Sequence, residues 1–209
     1  MPSLAQWTAF AVASLLFIQL PGPSLIFVLG RALTVSLRAA LLSVVGNGLG
    51  VIVQALLVAV GLGAVVATSA TLYTAIKVAG AAYVVYLGVQ AVRHRKDARL
   101  ALETGVAVVD SARRALGVGF VVGLTNPKTV VFFLAFLPQF TDTGAPAAPQ
   151  LALLGVAFGA MAICSDSLWA TAAGRARLWF QRRPERLDAM GATGGVLMIG
   201  VGATMASTS

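Results

Sequence analysis

The sequence predicts an all-α integral membrane protein with six transmembrane helices. Of its 209 residues, 58% are hydrophobic and 11% are charged, whereas a soluble domain typically has about 25% charged residues. Apolar runs that approach or exceed the roughly 20 residues needed to cross a bilayer recur along the chain. These runs, called spans 1 to 6 below, lie near Leu4–Gly30, Ala39–Ala67, Leu72–Val92, Leu116–Pro138, Leu151–Ala173 and Ala189–Ala206.

The net charge of +8 comes from basic residues in alternate connections between the spans. Such alternation is the positive-inside pattern, so we expect the first, third and fifth connections in the cytoplasm and both termini outside. Orientation and attraction to anionic membrane lipid account for this charge, and no nucleic-acid partner is expected. The basic residues are Arg31 and Arg38; Arg93, Arg95, Lys96, Arg99, Arg113 and Arg114; and Arg175, Arg177, Arg182, Arg183 and Arg186.

Span 1 is interrupted by Pro21, Gly22 and Pro23, about 13 Å from its cytoplasmic end at 1.5 Å per residue. This triplet cannot continue a regular helix, so a break near mid-membrane is predicted. Unpaired backbone groups at that depth are tolerated only inside protein or beside a wet cavity. The break is therefore a candidate site, with a purely structural kink as the alternative.

Span 4 carries Asn126, Pro127 and Lys128 in the middle of an apolar run, too deep for the lysine to reach water easily. Asp166 in span 5 is the single acidic residue within any span. If the two charges face one cavity, each lowers the cost of burying the other. They then either bind a ligand or form a purely structural ion pair.

Span 2 contains Gly46 and Gly50 at the small-xxx-small spacing that favours close helix packing. Gln54 lies deeper in the same span, where its amide needs partners. Interhelical hydrogen bonding and substrate contact are both compatible with that position. We include Gln54 among the candidate site residues.

An enzyme is not expected. The one histidine, His94, lies in the third connection among basic residues, and the one cysteine, Cys164, permits no intrachain disulfide. The spans lack the base that an intramembrane serine protease needs and the ligand set that a metal site needs. The sequence therefore predicts neither a metal nor a cofactor.

An internal repeat relates the two breaks. At an offset of 105 residues, PGPSLIFVL of span 1 aligns with NPKTVVFFL of span 4. Each segment opens a block of three spans, about residues 1–93 and 116–209, separated by a linker at about 94–115. Because three is odd, the second block runs through the membrane in the opposite sense, as in secondary transporters with inverted repeats. One cavity lined by spans 1, 4 and 5, suited to a zwitterionic amino acid, is predicted.

The motifs carry a family resemblance. Pro21-Gly22-Pro23, GAAYVVYLGV in span 3 and GFVVGLTNPKTVVFFLAFLPQF in span 4 resemble the LysE/RhtB family of bacterial amino-acid exporters, and Asp166 followed by Trp169 resembles its fifth-helix motif. The resemblance implies a bacterial inner-membrane exporter of amino acids or derivatives such as threonine, homoserine or its lactones, driven by proton antiport. Gln54 departs from the histidine that many members carry there.

Two other functions stay open from sequence. A basic-amino-acid exporter would need more acidic residues in the cavity than Asp166, so a neutral substrate is favoured. A structural or assembly protein would not require two helix breaks at similar depth. The sequence leaves the oligomeric state open and is compatible with a homo-oligomer.

Overall fold

The computed structural model describes residues 2–68 and 111–176, together with scattered positions between 75 and 96 and between 179 and 203. Every regular element in these described ranges is helical, which confirms the predicted all-helical membrane fold. The described positions in spans 3 and 6 are mostly helical as well. Lys77 of span 3 lies outside the described residues.

Span 1 forms two helices, α1 (Leu4–Gln19) and α2 (Pro23–Thr34), whose axes differ by 54°. Ser3 begins α1 through a capping box with Gln6. Pro23 is the first residue of α2, where its missing N–H costs nothing. The predicted break at Pro21-Gly22-Pro23 is confirmed.

Span 4 is divided in the same way, into α4 (Ala112–Leu124) and α5 (Pro127–Ala135), with a bend of 44°. Pro127 is the first residue of α5, and the Asn126 side chain caps it by accepting from the Lys128 N–H. A short 3₁₀ helix, Leu137–Phe140, follows. The second predicted break is therefore also confirmed.

Spans 2 and 5 are long helices, α3 (Leu37–Thr68) and α6 (Ala147–Arg175). Both contain apolar segments long enough to cross a bilayer. Helix α3 packs against both α4 and α6, so it holds the second broken helix against the rest of the described chain.

Glycines allow α3 and α4 to pack with backbone against backbone. A Cβ on Gly46 or Gly50 would overlap the carbonyl of Leu116 or Phe120, and one on Gly119 would overlap Ser43 O. This confirms that the small-xxx-small spacing in span 2 is a packing feature. The contact fixes the depth of α4, and hence of its break, relative to α3.

The contacts place the helix ends at two opposite ends of the bundle. At one end, Ser43 Oγ donates to Ala115 O, and Leu33 of α2 packs in one cluster with Ala173 of α6. At the other end, Gln6 Nε2 donates to Thr141 O. The arginines gather near the first end, which fits the predicted alternation: Arg31, Arg38, Arg113, Arg114 and Arg175. The assignment of this end to the cytoplasm and the division into two three-helix repeats stay predictions.

Candidate functional site

A narrow cavity, lined by apolar side chains together with several buried polar ones, lies between the two helix breaks. It has a volume of about 30 Å³, enough for water but not for an amino acid, which would have to widen it. The α1–α2 break, α3, the start of α5 and α6 all contribute side chains. The lining residues are Phe17, Ile18, Gly22, Ser24, Leu25, Asn47, Val51, Asn126, Lys128, Thr129, Phe158, Ala162 and Asp166.

The Lys128 side chain crosses from the second break to the first. It is only 5% exposed, and its ammonium donates to Phe17 O at 2.7 Å and to Leu20 O at 2.5 Å. The same ammonium lies 4.7 Å from the centre of the Phe17 ring. The lysine therefore stabilises the end of α1: Phe17 O also accepts from the Leu20 N–H, whereas Leu20 O has the lysine as its partner.

Asp166 lines the same cavity from α6. Its side chain is 4% exposed, and among the described residues its carboxylate accepts no hydrogen bond and makes no ion pair within 4.0 Å. Lys128 and Asp166 attract each other across the cavity, but they are not in direct contact. The structural ion pair considered from the sequence is thus absent in this conformation, and the carboxylate is available to a ligand.

A chain of polar side chains connects the two breaks on another side of the cavity. Asn126 Nδ2 donates to Ser24 Oγ at 2.7 Å, and Ser24 Oγ donates to Asn47 Oδ1 at 2.9 Å. This chain ties the residue that caps α5 to the first turn of α2 and to the middle of α3. A movement of one broken helix would therefore alter the hydrogen bonding of the other.

Gln54 does not line the cavity in this conformation. Its Nε2 donates to Leu124 O at 2.7 Å and to Asn126 O at 3.1 Å, and its Oε1 accepts from Thr129 Oγ1 at 2.5 Å. The amide thus pairs Leu124 O, which the second break leaves without a helical partner, and adds a bond to Asn126 O, which also accepts from the Val130 N–H. Of the two functions that the sequence allowed for Gln54, the structure displays interhelical hydrogen bonding.

The two helix starts at the breaks differ. Asn126 caps α5, whereas no described side chain caps α2, because Gly22 carries no side-chain acceptor. The N–H groups of Ser24 and Leu25 are among the unpaired donors of an α-helix start, and both residues line the cavity. The prolines Pro21, Pro23 and Pro127 create the breaks but do not line the cavity.

The sequence did not identify all of the lining residues. Ser24, which aligns with Thr129 in the internal repeat, and Asn47 of span 2 are not among the candidate site residues predicted from the sequence, yet both line the cavity. Both are polar groups within an apolar span, and this signal could have identified them. Phe17 and Phe158 gave no comparable signal, because phenylalanine is common throughout the spans.

The cavity contains one group that attracts cations and another that attracts anions. A buried carboxylate without a partner lies in the same cavity as an uncapped helix start, whose N–H groups and positive dipole end attract anions. Among the described residues, no group of three histidine, cysteine or acidic side chains could hold a metal ion. The arrangement therefore favours a small ligand with both an ammonium and a carboxylate.

The fold and the cavity define a helical membrane protein built around two broken helices. A family model described as LysE type translocator matches residues 15–209, and the chain belongs to this family. The family predicted from the motifs is thus confirmed, and it consists of translocators rather than enzymes.

Three relatives, two of them named for efflux, align over two thirds or more of the chain. It is 32% identical over 201 residues to the homoserine/homoserine lactone efflux protein of Salmonella typhimurium, covering 96% of each chain. It is 30% identical over 145 residues to the leucine efflux protein of Salmonella choleraesuis, covering 68% of this chain and 66% of that one. An uncharacterized membrane protein of Vibrio cholerae is 35% identical over 150 residues, or 72% of each chain. No solved structure matches the chain significantly.

Proposed function

We propose that this protein exports neutral amino acids or close derivatives, such as homoserine, threonine, leucine or homoserine lactone, across the bacterial cytoplasmic membrane. The observation that carries the proposal is the buried Asp166 carboxylate without a partner, in the same cavity as the uncapped start of α2. Membership of the translocator family and the relatives named for efflux of homoserine and leucine support the same class of substrate.

In this proposal the substrate lies between Asp166 and α2. Its ammonium donates to the Asp166 carboxylate, and the carboxylate or carbonyl end accepts from the N–H groups of Ser24 and Leu25. Lys128 adds a positive field but has its own carbonyl partners. A basic amino acid would bring a second positive charge, for which the cavity has no second carboxylate among its lining residues.

Export of labelled homoserine, threonine, leucine and lysine from preloaded cells tests the substrate class. We expect Asp166→Asn to reduce export of the preferred neutral substrate by about tenfold or more, the effect of losing a charge-assisted hydrogen bond. The matched control is Asp142→Asn, which alters an acidic residue outside the cavity. Parent-like export by Asp166→Asn at normal protein levels, or a preference for lysine, would contradict the proposal.

Proton antiport is the proposed source of energy. Asp166 is the only carboxylate among the lining residues of the cavity, so it is the group through which a proton and the substrate ammonium can compete for one site. In loaded vesicles, collapse of the proton gradient should stop export against a substrate gradient. Uphill export that continues at the same rate would exclude proton coupling without affecting the assignment of the substrate.

A further inference from the structure

The environment of the Lys128 ammonium has the form of a cation site. Two backbone carbonyls, Phe17 O and Leu20 O, and the face of the Phe17 ring surround a single positive charge. Carbonyl oxygens are ligands for small hard cations, and aromatic faces attract cations as well. These ligands are supplied by the end of α1, and the charge is supplied by a different helix, α5.

The end of a broken helix is electrostatically suited to a cation. The last carbonyls of α1 have no partners within the helix, and the helix dipole places its negative end there. Transporters with discontinuous helices coordinate coupling cations with carbonyls at such ends. Here the lysine side chain already supplies the positive charge.

The path of the lysine stem shows that the lysine fits this position closely. A Cβ on Gly22 would lie 2.7 Å from Lys128 Cδ, so a larger residue at position 22 would displace the lysine stem from its present path to the end of α1. Gly22 has an extended backbone with φ of −134°, so it is the close approach that requires glycine there, not its φ.

We propose that Phe17 O, Leu20 O and the Phe17 ring form a monovalent-cation site in which the Lys128 ammonium is the permanent, tethered occupant. Shortening the lysine then creates a site for a free cation such as Na⁺ or K⁺. A consequence, which rests on the proposed function, is that export by the parent protein requires no Na⁺. Lys128 is accordingly a positioning residue for the α1–α2 break, and the substrate carboxylate binds elsewhere.

Thermal unfolding of purified Lys128→Ala in NaCl, KCl, methylammonium chloride or choline chloride at equal ionic strength tests the site without measuring transport. In choline, Tm should fall by roughly 6–24 °C, as expected for two lost charge-assisted hydrogen bonds in a chain of this size. At least one small cation should restore half or more of this loss. Lys128→Met is the matched control, because its side chain fills the space without a charge and should leave Tm equally low in every salt.

A second comparison separates the carbonyl site from the Asp166 carboxylate. The double variant Lys128→Ala Asp166→Asn should keep the cation-specific recovery, because the proposed ligands are intact. Recovery that disappears in the double variant, that is equal in choline, or that occurs equally in Lys128→Met would overturn the proposal. So would a Lys128→Ala protein with parent-like Tm in choline.

If Lys128→Ala cannot be purified in any salt, Gly22→Ala tests the same contact with the lysine retained. Its added methyl group should push the stem away from α1 and lower Tm by more than the roughly 2–4 °C that alanine in place of glycine at a helix N-cap costs by itself. A loss of Tm no larger than that would overturn the proposal. None of these measurements depends on the identity of the exported substrate.

Discussion

The contact between α3 and α4 permits a prediction in which the energetic cost can be isolated. A methyl group added at Gly123 would lie well within 3.0 Å of Asn47 O, a backbone atom that cannot rotate away. Helices α3 and α4 would have to separate by on the order of 1 Å. Gly117 lies on the same helix, is exposed, and its Cβ would meet nothing within 4 Å. Gly117→Ala is therefore the matched control for Gly123→Ala.

Both substitutions gain the same helix propensity, roughly 0.5–1 kcal/mol, so the difference between them reports the overlap. Overpacking of a close contact costs about 1–3 kcal/mol. For a chain of this size, 1 kcal/mol shifts Tm by about 2–4 °C. We therefore expect Gly123→Ala to unfold roughly 2–12 °C below Gly117→Ala in the same detergent.

Thermal unfolding of the two purified variants and the parent measures this difference. The expected order is Gly117→Ala at or above the parent and Gly123→Ala below it. Because Asn47 lies on the α3 side of the contact and lines the cavity, Gly123→Ala should also reduce export per folded molecule. Equal Tm values for the two variants would refute the close backbone contact and, with it, the depth of the second break.

Two further predictions concern buried amides. Gln54→Leu leaves Leu124 O without its amide partner, while Asn126 O keeps the Val130 N–H and the Thr129 hydroxyl, so the loss should cost about 1–3 kcal/mol, measured by thermal unfolding. Gln139→Leu, a loss at an exposed glutamine, should be near neutral, and equal costs would contradict the reasoning. Gln150→Leu removes a buried side chain that accepts from the Asp142 N–H and donates to Asp142 O. The rate of protease cleavage within residues 141–146 should therefore increase. An unchanged cleavage rate would show that other contacts order this loop.

The helix breaks could be predicted from sequence because proline acts locally. A proline removes a backbone donor and restricts the residue before it, whatever the rest of the chain does. Asn126 precedes Pro127 in the sequence and caps the start of α5 with its side chain, whereas Gly22 precedes Pro23 and has no side chain with which to cap α2. These features depend on neighbours within a few residues.

The partner of Lys128 could not be predicted in the same way. From sequence, Asp166 was the expected counter-charge because it is the single acidic residue in a span. The structure instead directs the ammonium to Phe17 O and Leu20 O. Backbone carbonyls are present at every residue, so composition does not reveal which of them a long side chain will reach. That choice depends on the bend between α1 and α2 and on the space above Gly22.

Gln54 gives the complementary case. Its depth in span 2 shows that its amide needs partners, but the carbonyl of Leu124 is freed only because α4 ends before Pro127. The rotation of α3 relative to α4, set by their glycines, then decides that Gln54 faces this break. The spacing of apolar residues along either helix does not show how the two helices are rotated against each other.

The two breaks are stabilised in related but unequal ways, and this inequality explains what remains for a ligand. At the second break, Asn126 caps the helix start and Gln54 pairs the freed Leu124 O. At the first break, Lys128 donates to Phe17 O and Leu20 O, but no described side chain caps the start of α2. Among the described residues that line the cavity, the donors at the start of α2 and the carboxylate of Asp166 are therefore polar groups left without a partner. Since they have opposite electrostatic preference, a ligand that satisfies both must carry a donor with positive charge and an acceptor within one small molecule, as an amino acid does.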